Sequence, residues 1–339
     1  MQEMVYFYPN GHQAHAVPGH PERPERVEAI RQALESHGLW SAPLAPLDVP
    51  VDVLHAVHDQ TYLERLQGLC AEGAWYDGDT YLQPASWTLA LQSAGGAMRV
   101  AQAVWRGEAQ YGFALCRPPG HHATPRRAMG FCLLNNVALA AEYLLQCEGA
   151  QQLAIVDLDV HHGNGTQDIF WQRSDVLYVS MHQVPLYPGT GSLYERGQGT
   201  GAGYTLNCPL PPGTGNAGAL AWMQTVILPV LERYAPQMVL VSLGFDAHWR
   251  DPLAQLRFSA QGYSALVSAL AGFAAEKCAG RMALVLEGGY DLHAGAVGAT
   301  GVVSALVGAP WSDSLGDAPG RDAREWEPVL REARSIWRV

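Results

Sequence analysis

Residues 153–166 constrain this chain more than any other segment, because a short apolar run passes directly into polar residues there. Residues 153–156 are all apolar, which is typical of a strand buried on both faces of a parallel sheet. If the extended backbone continues, the two-residue period of a strand places Asp157, Asp159 and His161 on one side. The alternative is a solvated loop with incidental histidines. Three ligand-type side chains at alternate positions favour a metal site.

Other apolar runs end in the same way and alternate with helical segments. Residues 111–116, 238–243 and 282–286 are predicted strands, and each leads into a polar or glycine-rich loop. Further strands are predicted at residues 4–8, 153–158 and 176–181, and helices at residues 24–38, 61–69, 85–106, 133–147, 217–234 and 323–338. This alternation predicts one doubly wound α/β domain spanning residues 1–339. Open parallel sheets bind ligands beyond the carboxyl ends of their strands, so we expect the functional residues there.

Composition and charge exclude several classes of function. The hydrophobic fraction of 48% with 16% charged residues supports a large core, and the net charge of −11 provides no basic surface for nucleic acid. The six cysteines lack zinc-clip spacing, which indicates buried free thiols and a reducing compartment. No run of about 18 apolar residues occurs, and the first residues do not resemble a signal peptide. We therefore expect a cytoplasmic protein that contacts no membrane.

The polar strand ends carry the groups that a catalytic zinc needs. Such a site takes three protein ligands and keeps one position for water, and no cysteine lies near enough in sequence to close it. Asp159 and His161 supply two ligands, and Asp246, at the end of its own predicted strand, is the best third. A general base must then help to remove a proton from the water.

His121 and His122 follow another predicted strand and are the candidates for this base. Asp157 and Asn164 flank the metal ligands, and either could hold an imidazole ring in one tautomer. A histidine pair on its own is more often part of a polar loop. Because a metal site is predicted at a neighbouring strand end, a catalytic role for this pair is the favoured interpretation.

Tyr290 is the candidate for stabilising a developing oxyanion by a hydrogen bond. Gly288 and Gly289 precede it and permit a tight turn that would direct the phenol inward. The alternative is an ordinary turn with a packed aromatic side chain.

Taken together, these runs resemble the histone deacetylase superfamily, which includes acetylpolyamine amidohydrolases and acetoin-utilisation proteins. The matching runs lie in family order between about residues 6 and 306, at 117–122, 130–132, 157–166, 244–247 and 287–290. The resemblance implies an open arginase/deacetylase fold, with a central eight-stranded, mostly parallel sheet flanked by helices on both faces. It also implies zinc held by Asp159, His161 and Asp246. In the roles that it implies, His121 and His122 are the acid and base pair, Asp157 and Asn164 orient them, and Tyr290 polarises the carbonyl.

The details of the match are similar to the class II branch and to bacterial histone deacetylase-like amidohydrolases. Asn164 stands where some members carry aspartate, and residues 20–24 fit the same branch. The implied substrate-binding residues are Gly130, Phe131, Tyr187, Leu253 and Gly288, of which Phe131 and Tyr187 would wall an acyl-lysine tunnel. Their alternative is ordinary core packing. Leu253 occupies a rim position where polyamine-selective eukaryotic relatives carry glutamate, which weakens a polyamine assignment. Leu82 replaces another rim aspartate, although Asp77 and Asp79 lie close by.

The same resemblance implies two potassium ions. The first would contact Asp157, Asp159, Ser180 and the carbonyls of His161 and Met181, and the second would contact carbonyls near Phe170, Arg173 and Val176.

Three hypotheses follow for the function. The first is a zinc-dependent amidohydrolase that removes an acyl group, chiefly acetyl, from an acetylated lysine side chain or a related small amine. The second is an acetylpolyamine amidohydrolase, which the acidic charge favours slightly. The third is a catalytically silent protein that binds acylated ligands in the same pocket. The sequence does not determine the oligomeric state.

Overall fold

The computed structural model describes residues 2–339 as parallel strands alternating with helices. The strands are β1 (Gln2–Phe7), β2 (Ala109–Ala114), β3 (Leu153–Asp157), β4 (Val176–Gln183), β5 (Thr205–Leu210), β6 (Met238–Leu243) and β7 (Met282–Leu286). The helices are α1 (Glu25–Ser36), α2 (Val51–Val57), α3 (Gln60–Glu72), α4 (Ser86–Trp105), α5 (Asn136–Cys147), α6 (Asn164–Phe170), α7 (Asn216–Trp222), α8 (Leu228–Tyr234), α9 (Ala260–Lys277), α10 (Leu292–Val307) and α11 (Trp326–Trp337).

The strands form a single sheet in the order β1-β2-β7-β6-β3-β4-β5, and every pair of neighbours is parallel. The open, doubly wound architecture confirms the predicted fold class. The expected strand number was wrong, since the described part of the chain contains seven strands rather than eight, and the sheet is wholly parallel. Strands β2, β7, β6 and β3 are consecutive in this order. The loops at their carboxyl ends are therefore neighbours, although they lie far apart in sequence.

The core lies on both faces of the sheet, because alternate residues of each strand point to opposite sides. In β3, Ile155 packs in one large apolar cluster and Val156 packs in the other, and both are fully buried. Asp157 ends this strand, and its neighbours across the sheet are Ser180 of β4 and Ser242 of β6. The polar residues of the predicted site therefore begin where two apolar layers end.

Several elements differ from the sequence prediction, and helices α2, α6, α9 and α10 were not predicted. The helix predicted at residues 217–234 consists of α7, a wider π-helical turn at Met223–Ile227, and α8. Pro229 in α8 has no amide hydrogen to continue the normal ladder, which accounts for the interruption. Strand β5 was not predicted either, and it contains Pro209, a residue that is disfavoured inside a sheet. Since β5 is an edge strand, its proline is tolerated there.

No helix within residues 2–339 is long and apolar enough to cross a membrane.

Candidate active site

The loops after β3 and β6 bring together the three side chains predicted as metal ligands. One ligand atom from each of Asp159, His161 and Asp246 lies within 4.8 Å of the others, and all three residues are buried. His161 Nδ1 lies 3.1 Å from Asp159 Oδ1 and 3.2 Å from Asp246 Oδ2. Ligands at about 2.0 Å from a tetrahedral ion lie roughly 3.3 Å apart. The spacing of these donors therefore fits a metal ion.

Backbone amides fix the orientation of both carboxylates. The N–H of Gly288 donates to Asp159 Oδ2 at 2.8 Å, and the N–H of Val160 donates to Asp246 Oδ1 at 2.9 Å. Gly288 must lack a side chain, because a Cβ atom there would lie 2.1 Å from Asp246 Oδ2. This explains why glycine stands at the predicted substrate-binding position 288.

The two predicted base residues lie side by side in different electrostatic surroundings. His121 Nδ1 donates to Asp157 Oδ2 at 3.0 Å, and His122 Nδ1 donates to Asn164 Oδ1 at 2.8 Å. Burial opposes charge on His121, but the carboxylates of Asp157 and Asp159 outweigh it and raise its pKa well above the ordinary value. Burial and the nearby imidazoles lower the pKa of His122 well below its ordinary value. The surroundings therefore favour the charged form of His121 and the neutral form of His122.

Tyr290 lies in the loop after β7, and a carboxylate missed by the sequence analysis holds its backbone. Asp251 Oδ2 accepts hydrogen bonds from the amides of Tyr290 and Asp291, at 2.7 and 3.3 Å. Its Oδ1 accepts from the amide of Leu253 at 3.0 Å. Burial, followed by the charge of Asp246, raises the pKa of Asp251 to about 7. Asp251 thus joins the rim residue Leu253 to the loop that carries the phenol.

A second buried carboxylate, Glu287, connects the histidine loop to β6 and β7. Its Oε2 accepts from the amides of Gly120 and His121, at 2.7 and 3.1 Å, and its Oε1 accepts from Ser242 Oγ at 2.9 Å. Burial raises the pKa of Glu287 to about 7. With Cys132 and His121 it forms another compact group of potential metal donors. Its carboxylate is already satisfied by three donors, so we assign it to positioning the histidine loop.

Arg26 of α1 contacts the loop that carries Tyr290. Its Nε donates to the carbonyl of Gly289 at 2.6 Å, and its guanidinium carbon lies 4.9 Å from the centre of the Tyr290 ring. Arg117 is a second buried arginine, and its Nε donates to Glu22 Oε1 at 2.8 Å. The sequence analysis assigned neither arginine a role. Only their burial and their hydrogen-bond partners show that they support the site. Arg26, for example, lies on a helix whose sequence gives no sign of such a role.

A cavity of about 260 Å³ opens above these groups. Its lining contains His122, His161 and Tyr290 together with the predicted substrate-binding residues Gly130, Phe131, Tyr187 and Leu253, and also Asp79 and Leu186. His121 is absent from this lining, so of the two histidines only His122 faces the cavity. The predicted residues therefore converge on a space that is open to solvent.

The aromatic wall of the cavity depends on unusual backbone conformations. Gly130 and Phe131 have φ angles of +54° and +68°, in the left-handed region. A Cβ at Gly130 would lie 2.4 Å from His122 Cδ2, so glycine is needed for space as well as conformation. For Phe131 this conformation is costly, and the N–H of Phe131 donates to Thr80 Oγ1 at 3.2 Å. Phe131 packs edge-on to Tyr290, with ring centres 5.8 Å apart.

The residues predicted for potassium lie in two places. Asp157 and Ser180 are direct neighbours across β3 and β4, and Met181 follows Ser180. Ser180 Oγ hydrogen-bonds His182 Nδ1 at 2.9 Å. In the second set, Phe170 ends α6, Arg173 lies in the following turn and Val176 begins β4, and the N–H of Arg173 donates to the Phe170 carbonyl at 3.0 Å. Both potassium assignments stay predictions.

Comparison with known proteins gives one consistent result. The histone deacetylase domain model matches residues 20–306. The chain is 41% identical over 297 residues to a probable deacetylase of Archaeoglobus fulgidus, covering 86% of this chain and 82% of the relative. It is 40% identical over 281 residues to the histone deacetylase-like amidohydrolase of Pseudomonas aeruginosa, covering 81% and 74%. The crystal structure of the HDA15 HD domain is similar, with a TM-score of 0.90 and 33% identity over 99% of this chain and 94% of that one.

Proposed function

This chain belongs to the histone deacetylase family, and on that premise we propose that it is a zinc-dependent amidohydrolase. The proposed substrate is the acyl amide, chiefly acetyl, of an acetylated lysine side chain or a related small acetylated amine. One observation carries the proposal: a single open cavity is lined by His122, His161 and Tyr290. A base, a metal-ligand group and a phenol therefore face the same small volume.

The metal-ligand group fits zinc by its donors and by their spacing. Two carboxylates balance the charge of a divalent ion, and His161 Nδ1 is the ring nitrogen that faces both of them. When bound by Asp159, His161 and Asp246, zinc supplies a Lewis acid that polarises the amide carbonyl and makes water more acidic.

The protein's own groups divide the remaining work. His122 is neutral and faces the cavity, so it accepts the proton of the attacking water and then delivers a proton to the departing amine nitrogen. Asn164 keeps its ring in the required tautomer. His121 stays charged beside Asp157 and stabilises negative charge nearby. Tyr290 donates a hydrogen bond to the developing oxyanion.

The aromatic wall supports an extended acyl-amine substrate. Phe131 and Tyr187 both line the cavity, and Tyr187 is 39% exposed, so it reaches the solvent at the mouth. Flat apolar rings favour a methylene chain and exclude water from it. An acetylated lysine has such a chain between its amide and its backbone.

Replacement of Tyr290 by phenylalanine tests the proposal. The Tyr290→Phe variant of the zinc-loaded protein should deacetylate an acetyl-lysine peptide at least about a hundredfold more slowly, the usual cost of losing one oxyanion donor. Tyr194→Phe is the matched control, because Tyr194 is 69% exposed and does not line the cavity. An unchanged rate in Tyr290→Phe would refute the role of the phenol. Tight binding of acylated ligands without turnover by the unaltered protein would favour the silent binder.

An acetylpolyamine is the second candidate substrate, and the position of Asp79 favours it. Asp79 lines the cavity beside the aromatic wall, where its carboxylate can attract a distant ammonium group. Leu253, also in the lining, adds no charge. Values of kcat/KM for acetylputrescine and an acetyl-lysine peptide, measured with and without Asp79→Asn, distinguish the two. A loss confined to acetylputrescine would support the polyamine.

We also propose that residues 1–339 act as one domain in the cytoplasm with potassium as a structural ion. All described strands belong to one sheet, which supports the single domain. All six cysteines are free, which supports a reducing compartment.

A further inference from the structure

A second cavity lies at the amino ends of the strands, on the opposite side of the sheet from the loops that form the candidate active site. It is lined by Gln152, just before β3, by Leu177 at the start of β4 and by Tyr204, just before β5. The ends of α8 and α11 complete it. These positions are the amino ends of the strands, whereas His122 and the metal-ligand group lie beyond the carboxyl ends. The volume is about 450 Å³, within the range of small-molecule sites.

The charge of this cavity is opposite to that of the protein. Three of the 21 Lys and Arg residues line it, namely Arg196, Arg233 and Arg338, and its lining contains no aspartate or glutamate. The chain as a whole carries a net charge of −11. Among residues 2–339, no carboxylate lies within 4.0 Å of any of these three guanidinium groups. None of the three arginines therefore forms an ion pair with a carboxylate of the described residues.

Buried hydrogen-bond donors in the cavity wall also lack acceptors. Trp337 is only 4% exposed, and neither its Nε1 nor the buried Nε of Arg196 has a hydrogen-bond partner in the described part of the chain. Arg196 lies over the Trp337 ring at 4.7 Å, and Arg233 donates to the Trp337 carbonyl at 3.0 Å. These contacts fix the two arginines on one tryptophan. Since the Nε1 of Trp337 and the Nε of Arg196 are closed off from solvent, a contact between Arg196 and a ligand in the cavity would use its terminal nitrogens.

The backbone at the end of α11 directs a third arginine to the same place. Arg338 has a φ angle of +53°, which is uncommon for a residue with a side chain. It follows Trp337 directly, so the turn that ends α11 places both residues in the cavity lining.

From this geometry we propose that the cavity binds a small phosphate monoester. The phosphate group accepts hydrogen bonds from Arg196, Arg233 and Arg338, whose planar guanidinium groups match its oxygens. The organic part of the ester occupies the remaining volume, which is lined by the polar side chains of Gln152 and Tyr204 as well as by apolar side chains such as Leu177. The site is separate from the deacetylase chemistry and does not depend on it.

Calorimetric titration with glucose 6-phosphate, inorganic phosphate and glucose tests the proposal on the full chain. The ester should bind with a Kd at or below about 1 mM, more tightly than inorganic phosphate, and glucose should not bind. Arg196→Gln, Arg233→Gln and Arg338→Gln should each weaken binding about tenfold, as expected for loss of a charge-assisted hydrogen bond. Added salt should weaken binding in the unaltered protein.

Arg281→Gln is the matched control. Arg281 also lies over a tryptophan, at 4.3 Å from the Trp105 ring, but outside the cavity. Its replacement should leave the affinity unchanged. The proposal is overturned by absence of ester binding, by inorganic phosphate binding as tightly as the ester, or by equal losses in Arg281→Gln and the cavity variants. Arg233 and Arg338 are exposed, so their variants remain informative if Arg196→Gln fails to fold.

Discussion

The substitution Glu22→Gln should destabilise the protein strongly, because Glu22 neutralises two buried arginines beneath the candidate active site. Its Oε1 accepts from Arg117 Nε at 2.8 Å and from a terminal nitrogen of Arg26 at 3.0 Å. Glu22 and Arg117 are fully buried, and Arg26 is 3% exposed. Glutamine keeps the shape of the side chain but removes its charge. Two guanidinium groups would then lie in the interior without a counter-ion.

Two lines of reasoning give the size of this effect. Removing one partner of a buried ion pair costs about 3–5 kcal/mol. Independently, burial tends to raise the pKa of Glu22, but Arg117 and Arg26 outweigh it and lower the pKa from 4.5 to about 2. That shift corresponds to roughly 3 kcal/mol. We therefore expect a loss of about 3–5 kcal/mol in the free energy of unfolding at neutral pH.

Glu28→Gln provides the control, because this carboxylate shows a similar pKa shift in a wetter position. Hydrogen bonds from Arg31 and Tyr8 lower the pKa of Glu28 to about 2, but its side chain is 32% exposed. Solvent screening limits such a pair to about 1 kcal/mol or less. Urea titrations of both variants at neutral pH measure the difference. Equal losses, or a loss below about 1 kcal/mol for Glu22→Gln, would refute the argument from burial.

The pH dependence gives a second test of the same carboxylate. Because the pKa of Glu22 is lower in the folded protein than the ordinary value of 4.5, its contribution is complete above that pH and is lost as the pH falls towards about 2. The difference in free energy of unfolding between the unaltered protein and Glu22→Gln should therefore be about 0.8 kcal/mol smaller at pH 4 than at neutral pH. A gap that widens on acidification would contradict this assignment.

Three further predictions concern the candidate site. Gly288→Ala should weaken zinc binding at least about tenfold, because its Cβ would clash with Asp246. The control Gly272→Ala, at an exposed helical position, should leave zinc binding unchanged. Competition with a chelating dye measures both affinities. Asp251→Asn should lower kcat about tenfold or more with unchanged zinc content, because its single amide oxygen cannot accept from both the Leu253 amide and the amides of the Tyr290 loop, and normal kcat would exclude this positioning role. Removal of zinc by chelation should abolish turnover but leave the far-UV circular dichroism unchanged, and unfolding on chelation would instead indicate a structural ion.

The sequence allowed prediction of those parts of the site that follow from strand periodicity. Asp159 and His161 follow a run of buried residues, and parallel strands must end at one edge, so their convergence with Asp246 could be expected. The order of the strands could not be derived in the same way. Strand β5 carries Pro209, which local rules count against a strand, and only its edge position makes that proline acceptable.

The supporting groups could not be predicted, because their roles depend on contacts between distant segments. Arg26 is one charged residue on a helix, and nothing near it in sequence indicates that it donates to the carbonyl of Gly289, 263 positions away. Asp251 lies two residues before the rim residue Leu253, and its bonds to Tyr290 and Asp291 arise from how two loops pack. Burial distinguishes both from ordinary surface charges.

The backbone hydrogen bonds explain how the predicted metal ligands are held in place by the fold. Asp246 follows β6, but it accepts an amide from Val160 in the loop after β3. Asp159 lies in that loop, but it accepts an amide from Gly288, which follows β7. Each carboxylate is therefore bonded to a strand end other than its own, and three neighbouring strands share the two ligands. Since both donor amides lie within three residues of a strand end, the fold itself orients the carboxylates, and an arriving ion need not organise them.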